Sequence, residues 1–145
     1  MSALSELNHI LECCRIPVET GVFSKAPPET YAVLTPLIDV FDLYADNMPG
    51  VDISEVRISI FTKKNYLTFV SLLVSDLLTA GFTVTERRYL GHEDDTGYHH
   101  YAIDVAKEYS LHKKIARFHE RFFSLSAIHS LVGNRPRSQQ TPHYL

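Results

Sequence analysis

Apolar and polar residues alternate on both sides of a short polar segment in the second half of the chain. Residues 82–85 are FTVT and residues 100–105 are HYAIDV, so every second side chain is apolar. Between these segments, GHEDDTG carries two glycines and three carboxylates, a composition typical of a turn. The pattern predicts one long β-hairpin from Phe82 to Val105. An isolated hairpin is marginal in water, so its arms should pair with other strands or another subunit.

Two earlier segments predict the strands that complete this sheet. Val56, Ile58 and Ile60 recur at every second position, which predicts a central strand. Residues 31–44 (YAVLTPLIDVFDLY) are rich in β-branched and aromatic residues, and Pro36 makes this strand an edge strand or a bent one. With a short extended stretch at 17–23, we expect a sheet of about four to six strands.

Two segments have the spacing of amphipathic helices. The first begins after a cap at Ser2 and ends before Pro17. The second spans 65–80, with Asn65 as the N-cap and Gly81 at the C-terminal stop. Its apolar face comprises Tyr66, Phe69, Val70, Leu73, Leu77 and Leu78. This order of elements predicts an α+β fold, with the second helix lying across the sheet. The predicted core comprises Val56, Ile58, Ile60, Phe69, Leu73 and Leu77.

A third amphipathic region follows the hairpin. Its apolar residues recur every three or four positions: Leu111, Ile115, Phe118, Phe122, Leu125 and Ile128. A further helix is expected here, followed by a loose tail. Residues 1–109 carry 8 Lys and Arg against 16 Asp and Glu, whereas residues 110–145 carry 6 against 1. The basic segment should therefore dock on its own acidic body, dock on a neighbouring copy, or bind an anionic polymer.

Composition indicates one ordinary globular domain. The chain has 145 residues, 45% of them hydrophobic and 21% charged, which is enough to bury about 70% of the unfolded surface. Its first residues lack the apolar run of a signal peptide and no window is long and apolar enough for a membrane span, so we expect an intracellular protein without a membrane partner. Cys13 and Cys14 are adjacent and cannot close a loop, which agrees with a reducing compartment.

Motifs for catalysis are absent from the sequence. It contains no G-x-S-x-G, no H-E-x-x-H and no phosphate-binding glycine pattern. His99 and His100 are neighbours on a strand and should point to opposite faces, so they cannot share one metal ion. We therefore expect no catalytic residues, no cofactor and no metal. Glu93, Asp94 and Asp95 offer hard oxygen ligands for calcium or magnesium, but they lack the alternation of a calcium loop, and a solvated or partner-facing turn is the favoured interpretation.

Three segments in this order and of these lengths resemble the small tail-completion, or head-to-tail joining, proteins of long-tailed bacteriophages and prophages. They are PPETYAVLTPLIDVFDLYADN, VRISIFTKKNY and FTVTERRYLGHEDDTGYHHYAIDVAKEY, and the similarity spans residues 17–109. The resemblance implies a tail-terminator-like domain over 1–109: a mixed, mainly antiparallel sheet with a long hairpin, flanked by two or three helices. Residues 110–145 depart from the pattern.

The same resemblance implies a role in assembly without chemistry. Proteins of this group form rings, usually six-fold, that cap the tail tube and present a surface to the head connector. It implies a homo-oligomer in contact with tail tube and connector proteins, with DNA only as a passing polymer. Its location would be the head-tail junction of the virion, reached through the host cytoplasm. If the acidic tip, Glu93, Asp94 and Asp95, lines the channel, its charge would keep DNA phosphates from adhering.

Contacts between copies are expected on the hairpin and on the basic helix. Aromatic residues and arginine are enriched at interface anchors. The predicted interface residues are Arg87, Arg88, Tyr89, Tyr98, His99, Lys113, Arg117 and Phe118. For Arg87, Arg88 and Tyr98, an interface role and a role within the sheet of one copy are equally open.

The alternative function is a nucleic-acid-binding module that acts through the basic segment. Lys113, Lys114, Arg117 and Arg121 fall along one side of the predicted helix, with apolar residues on another side. Arg135 and Arg137 add charge beyond it. No helix-turn-helix, zinc-finger or RNA-binding sheet motif accompanies these charges, and a soluble amphipathic helix often carries as many.

Overall fold

The computed structural model describes residues 2–45 and 47–111, and Met1–Tyr109 forms one compact unit. The described residues form two helices and five strands, which confirms the predicted α+β class. The predicted amphipathic helix of 111–128 lies outside the described residues except for Leu111, so it stays a prediction. In chain order the elements are α1 (Ala3–Cys13), β1 (Val18–Thr20), β2 (Thr30–Asp42), β3 (Val51–Thr62), α2 (Tyr66–Thr79), β4 (Thr83–His92) and β5 (His99–Ser110).

The five strands form one mixed sheet in the order β1-β2-β3-β5-β4. Strand β1 runs parallel to β2, whereas β2 and β3 are antiparallel, as are β4 and β5. Strands β3 and β5 also run in opposite directions, because Arg57 contacts Asp104 while Phe61, further along β3, stacks on His100, which is earlier on β5. The predicted mainly antiparallel sheet and the central position of β3 are thus confirmed.

Both helices pack on the same face of the sheet. Their apolar side chains form a single core with the inward side chains of the strands, and Leu73 and Leu77 of α2 are fully buried. The predicted core is confirmed except that Phe69 is only partly buried. Leu78 was wrongly placed on the buried face of α2, since it is 57% exposed. The fully buried apolar side chains are Leu7, Leu11, Ala32, Leu34, Ile58, Ile60, Leu73, Leu77, Ile103 and Val105.

Short polar residues define the helix ends, as expected from the sequence. The Ser2 hydroxyl accepts a hydrogen bond from the Ser5 amide at 3.3 Å, and the Asn65 side chain accepts one from the Leu67 amide at 3.0 Å. Each bond satisfies a backbone donor that the helix itself leaves unpaired. Gly81 follows α2 with φ +85°, a left-handed conformation that glycine adopts without a steric penalty.

Strand β2 is both an edge strand and a bent one beyond its first residues. Strand β1 pairs only with residues 32–34 of β2. The β2–β3 ladder then has a register shift between Pro36 and Ile38. Because proline has no N–H to donate, it fits a strand at an edge or a bulge. The sequence predicted that Pro36 lies on an edge strand or on a bent one, and at this position β2 is both.

The orientation of α2 can be tested with two neighbouring leucines. Leu73 is fully buried and Leu72 is 62% exposed. Leu73→Ala should lower the free energy of unfolding by about 2–5 kcal/mol because it leaves a cavity, whereas Leu72→Ala should change it by no more than about 0.5 kcal/mol. Urea unfolding at one fixed protein concentration measures both. Equal losses for the two variants would show that the buried face is wrongly assigned.

Candidate functional site

The predicted hairpin is formed by β4 and β5, and its turn is held by its own polar groups. The Gly97 amide donates to the Glu93 carbonyl at 2.7 Å, and the Thr96 hydroxyl donates to the Glu93 carboxylate at 2.8 Å. His92 Nδ1 lies 3.2 Å from the Asp94 carboxylate. Glu93, Asp94 and Asp95 are all exposed. Among residues 2–45 and 47–111, no group of three or more His, Cys, Asp or Glu side chains is placed to hold a metal ion.

Four consecutive residues of β4 are exposed at one edge of the sheet and are here named the β4 patch: Arg87 and Tyr89 on the helix-bearing face, and Arg88 and Leu90 on the opposite face. Tyr89 and Leu90 are 43% and 46% exposed. Arg88 pairs with Glu86 on the same strand. The ring of Tyr89 stacks on Tyr66 of α2, with the centroids 5.0 Å apart. The patch combines two guanidinium groups with two apolar side chains, a composition typical of interface anchors.

Tyr98 is not part of this exposed surface, and of the two roles that the sequence left open its contacts fit the one within a single copy. Its side chain is only 6% exposed, and its hydroxyl donates to the Pro28 carbonyl at 2.6 Å. Its ring meets Tyr31 edge to face at 5.4 Å. Tyr98 therefore fastens the loop before β2 to the hairpin within one copy. The sequence could not reveal this contact because its partners are about 70 residues away and pair through backbone carbonyls.

His99 and His100 lie on opposite faces of the sheet, as predicted. His99 shares the helix-bearing face with Tyr66, and its Nδ1 lies 3.0 Å from the Tyr89 hydroxyl. It is half-buried and contacts the β4 patch through Tyr89. His100 stacks on Phe61 on the other face, with the ring centroids 4.2 Å apart. Lys113, Arg117 and Phe118, the remaining predicted interface residues, lie outside the described residues.

Burial lowers the pKa of His100. The Arg57 charge lowers it further, and the Glu93 carboxylate partly opposes both effects. The His100 Nε2 atom is buried and has no hydrogen-bond partner among the described residues. A protonated ring would need two partners for its N–H groups. The folded chain therefore favours the neutral imidazole.

The face of the sheet opposite the helices is held together by a ring stack and an ion pair. Tyr31 stacks on Phe61 at 4.9 Å, which continues the Phe61–His100 stack across β2, β3 and β5. Arg57 donates two hydrogen bonds to Asp104, at 2.7 and 2.8 Å. This bidentate contact raises the pKa of Arg57 and ties the centre of β3 to β5.

A second exposed surface, which the sequence interpretation missed, lies on the β2–β3 hairpin beyond the bulge. We name residues 36–55 the distal arm. Seven of its large apolar side chains are between 41% and 67% exposed. Monomeric proteins rarely expose so many clustered apolar side chains without a partner. These residues are Leu37, Ile38, Val40, Phe41, Leu43, Tyr44 and Met48.

The length of the strands explains why the distal arm is uncovered. Strand β2 has 13 residues and β3 has 12, so β2 extends over about 43 Å. The helices have 11 and 14 residues and extend over about 16 and 21 Å. A helix layer of this size cannot cover the sheet from end to end. The buried residues of β2 and β3 accordingly end at Leu34 and begin at Val56.

The distal arm is also acidic. The described residues Asp39, Asp42, Asp52 and Glu55 belong to it, and the sequence has no Lys or Arg between Lys25 and Arg57. Negative charge around an apolar surface keeps it soluble and limits indiscriminate strand addition at an edge. The sequence did contain this signal, as a 31-residue interval without a basic residue combined with a surplus of apolar residues. The sequence interpretation treated 31–44 only as an edge or bent strand and did not use this signal.

The size of the distal arm fits an association surface. Fully burying one large apolar side chain contributes about 1.5–3 kcal/mol, so seven half-exposed ones would contribute about 5–10 kcal/mol. Association costs about 4–15 kcal/mol in lost freedom of motion. Burial of the arm alone would thus offset much of the cost of association. A second contact would be needed to make association favourable.

Comparisons with known proteins assign neither surface. No protein-family model matches the chain, and no curated protein matches it significantly. Within residues 2–45 and 47–111, neither helix has the length and apolar content to span a membrane. The two surfaces are therefore interpreted from their own chemistry.

The buried imidazole predicts a specific pH dependence. The unfolded chain takes up a proton as the pH falls through the ordinary histidine pKa of about 6.5, whereas folded His100 takes it up only at lower pH. Its contribution to stability is therefore present above about 6.5 and is lost below it. His100→Phe keeps the stack on Phe61 and removes this loss. The unfolding free energy of the variant should rise relative to the native chain between pH 7 and pH 5.

The exposed His9 provides the matched control for this measurement. Urea unfolding of His9→Phe should follow the native pH profile. A constant difference between His100→Phe and the native chain across this range would contradict the role assigned to burial.

Proposed function

We propose that this chain is a structural subunit of a bacteriophage head-tail junction. In this role it assembles into a homo-oligomeric ring, expected to be six-fold, that caps the tail tube or joins it to the head connector. Its partners are other copies of itself, tail tube proteins and connector proteins, and DNA only passes through the ring. It would reside in the virion after assembly in the host cytoplasm. No reaction is assigned to it.

The observation that carries this proposal is the exposed distal arm. A hairpin with seven uncovered apolar side chains is costly to leave in water, and a permanent protein partner removes that cost. Small-molecule sites are concave, whereas the apolar side chains of the arm are exposed along an edge of the sheet. The geometry therefore favours a protein partner over a small ligand.

The resemblance to tail-completion proteins covers residues 17–109, and that interval contains the whole sheet except the last residue of β5. The acidic tip, residues 93–95, and the distal arm lie at opposite ends of the sheet, because β3 and β5 are antiparallel. One copy can thus contact its neighbours through the arm while the tip faces elsewhere. We suggest that the tip faces the channel, where its charge repels DNA phosphates.

A second candidate is a nucleic-acid-binding module. The charge of residues 110–145, with 6 Lys and Arg against 1 Asp or Glu, favours it. These residues are almost entirely outside the described part of the chain. The two candidate functions differ in what they require: the ring requires contacts between copies, whereas the module requires contacts with phosphate.

The mass of the purified protein in solution tests the ring directly. Light scattering after size exclusion should give a mass several times the 16.5 kDa of one chain, and near six times for a six-fold ring. Phe41→Ser combined with Leu43→Ser should shift the mass to that of one chain, because these side chains are exposed on the arm. Leu72→Ser, equally exposed on α2, is the matched control and should leave the oligomer intact.

A test of location distinguishes a phage protein from any other oligomer. Tailed particles purified from the source strain should contain the chain by mass spectrometry, and negative-stain images of the purified oligomer should show a ring with a central channel. A chain that is a monomer at high concentration and absent from such particles would contradict the proposal.

A salt-dependent gel shift with random duplex DNA tests the second candidate. Binding through the basic segment should retard the DNA at low salt, and glutamine at Lys113, Lys114, Arg117 and Arg121 should abolish this. The Lys25→Gln variant, which removes an exposed basic residue outside the distal arm and the β4 patch, should bind as the native chain does. If the native chain causes no retardation at low salt, nucleic-acid binding is excluded.

A further inference from the structure

The positions of the distal arm and the β4 patch allow two neighbouring copies to bind to one chain at the same time. Beyond Leu34, β2 has no strand on its outer side among the described residues, and β4 is the last strand on the other side of the sheet. The two surfaces therefore lie on opposite edges of one sheet. A neighbour seated on the arm would leave the β4 patch free for the next one.

The charges of the two surfaces disfavour an interface in which the same surface of two copies meets. The arm carries only acidic charged residues, so two arms docked on each other would bring carboxylates together. Like charges face to face across an interface are strongly unfavourable. The β4 patch offers Arg87 beside Tyr89 on the helix-bearing face and Arg88 beside Leu90 on the opposite face. An acidic apolar surface is complementary to such a patch in both respects.

One pair of residues has matching orientation. Arg87 lies opposite Ile103, whose side chain belongs to the core under the helices, so Arg87 points to the helix-bearing face. Asp39 lies opposite Ser54, two residues before the buried Val56, and so shares that face. Both side chains are exposed. Copies joined edge to edge with their helices on the same side would bring Asp39 and Arg87 together.

From these observations we infer that the distal arm of one copy docks on the β4 patch of the next copy, with Asp39 facing Arg87. This inference rests on the proposed self-assembly and specifies its interface. The contact joins two different surfaces, so it repeats head to tail and closes into a ring when the rotation per copy divides a full turn. An interface of two identical surfaces would stop at a dimer.

A charge swap tests this contact. Asp39→Lys alone and Arg87→Glu alone should each raise the concentration at which the oligomer forms by about tenfold or more, since each places like charges across the interface. The combined Asp39→Lys and Arg87→Glu variant should restore assembly to within a few-fold of the native chain. Arg87 is chosen over Arg88 because Arg88 pairs with Glu86 in its own strand. Sedimentation velocity over a concentration series measures each midpoint, and circular dichroism confirms that each variant is folded.

The basic segment provides the competing partner for the arm. Lys113→Glu combined with Asp39→Lys is built as the parallel swap. Rescue by this pair, with no rescue by Arg87→Glu, would overturn the inference and identify residues 110–145 as the occupant. Absence of rescue in both swaps would also overturn it. A native chain that never forms an oligomer would instead contradict the proposed function, so the two failures remain distinguishable.

Discussion

The mismatch between long strands and short helices determines most of what is distinctive in this molecule. Strand β2 extends about twice as far as either helix. The helix layer therefore buries one part of the β2–β3 hairpin and leaves the rest of β2 exposed and the rest of β3 half-buried. The bulge after Pro36 lies near this boundary, where the ladder shifts register and the buried residues of β2 have ended. The residues of β2 and β3 on the far side of this bulge form the distal arm, with its apolar and acidic side chains.

The covered part of the sheet and the two helices form an ordinary two-layer domain. Polar contacts at its margins join the helices to the sheet and to each other. Lys107 pairs with Glu6 and also donates to the Ala80 carbonyl, which ties the end of β5 to both helices. Cys14 donates to Asp76 across the two helices, and burial raises the pKa of this thiol to about 11. These contacts hold the helices in place on the sheet. Both edge surfaces are thereby presented in a defined geometry, which lowers the cost of ordering them on association.

Charge is distributed so that the two edges differ. Lysine and arginine are missing from the whole interval between Lys25 and Arg57, while β4 contains two arginines. A sheet whose edges carry different charge and shape favours contacts between unlike surfaces, and such contacts continue around a ring rather than ending at a pair. The architecture and the charge pattern thus agree with the proposed assembly role, although they arise from separate parts of the sequence.

Local patterns in the sequence were sufficient for the elements and for most of the core. The caps at Ser2 and Asn65, the stop at Gly81 and the alternation around Ile58 act over a few residues, so they can be recognised without a structure. The burial of Tyr98 depends on a contact with a segment about 70 residues away. The point at which the helix layer ends on β2 depends on the relative lengths of the helices and strands. Periodicity says that one face of a strand is apolar, but not whether another element covers it. Only the tertiary structure decided that, and it thereby revealed the distal arm.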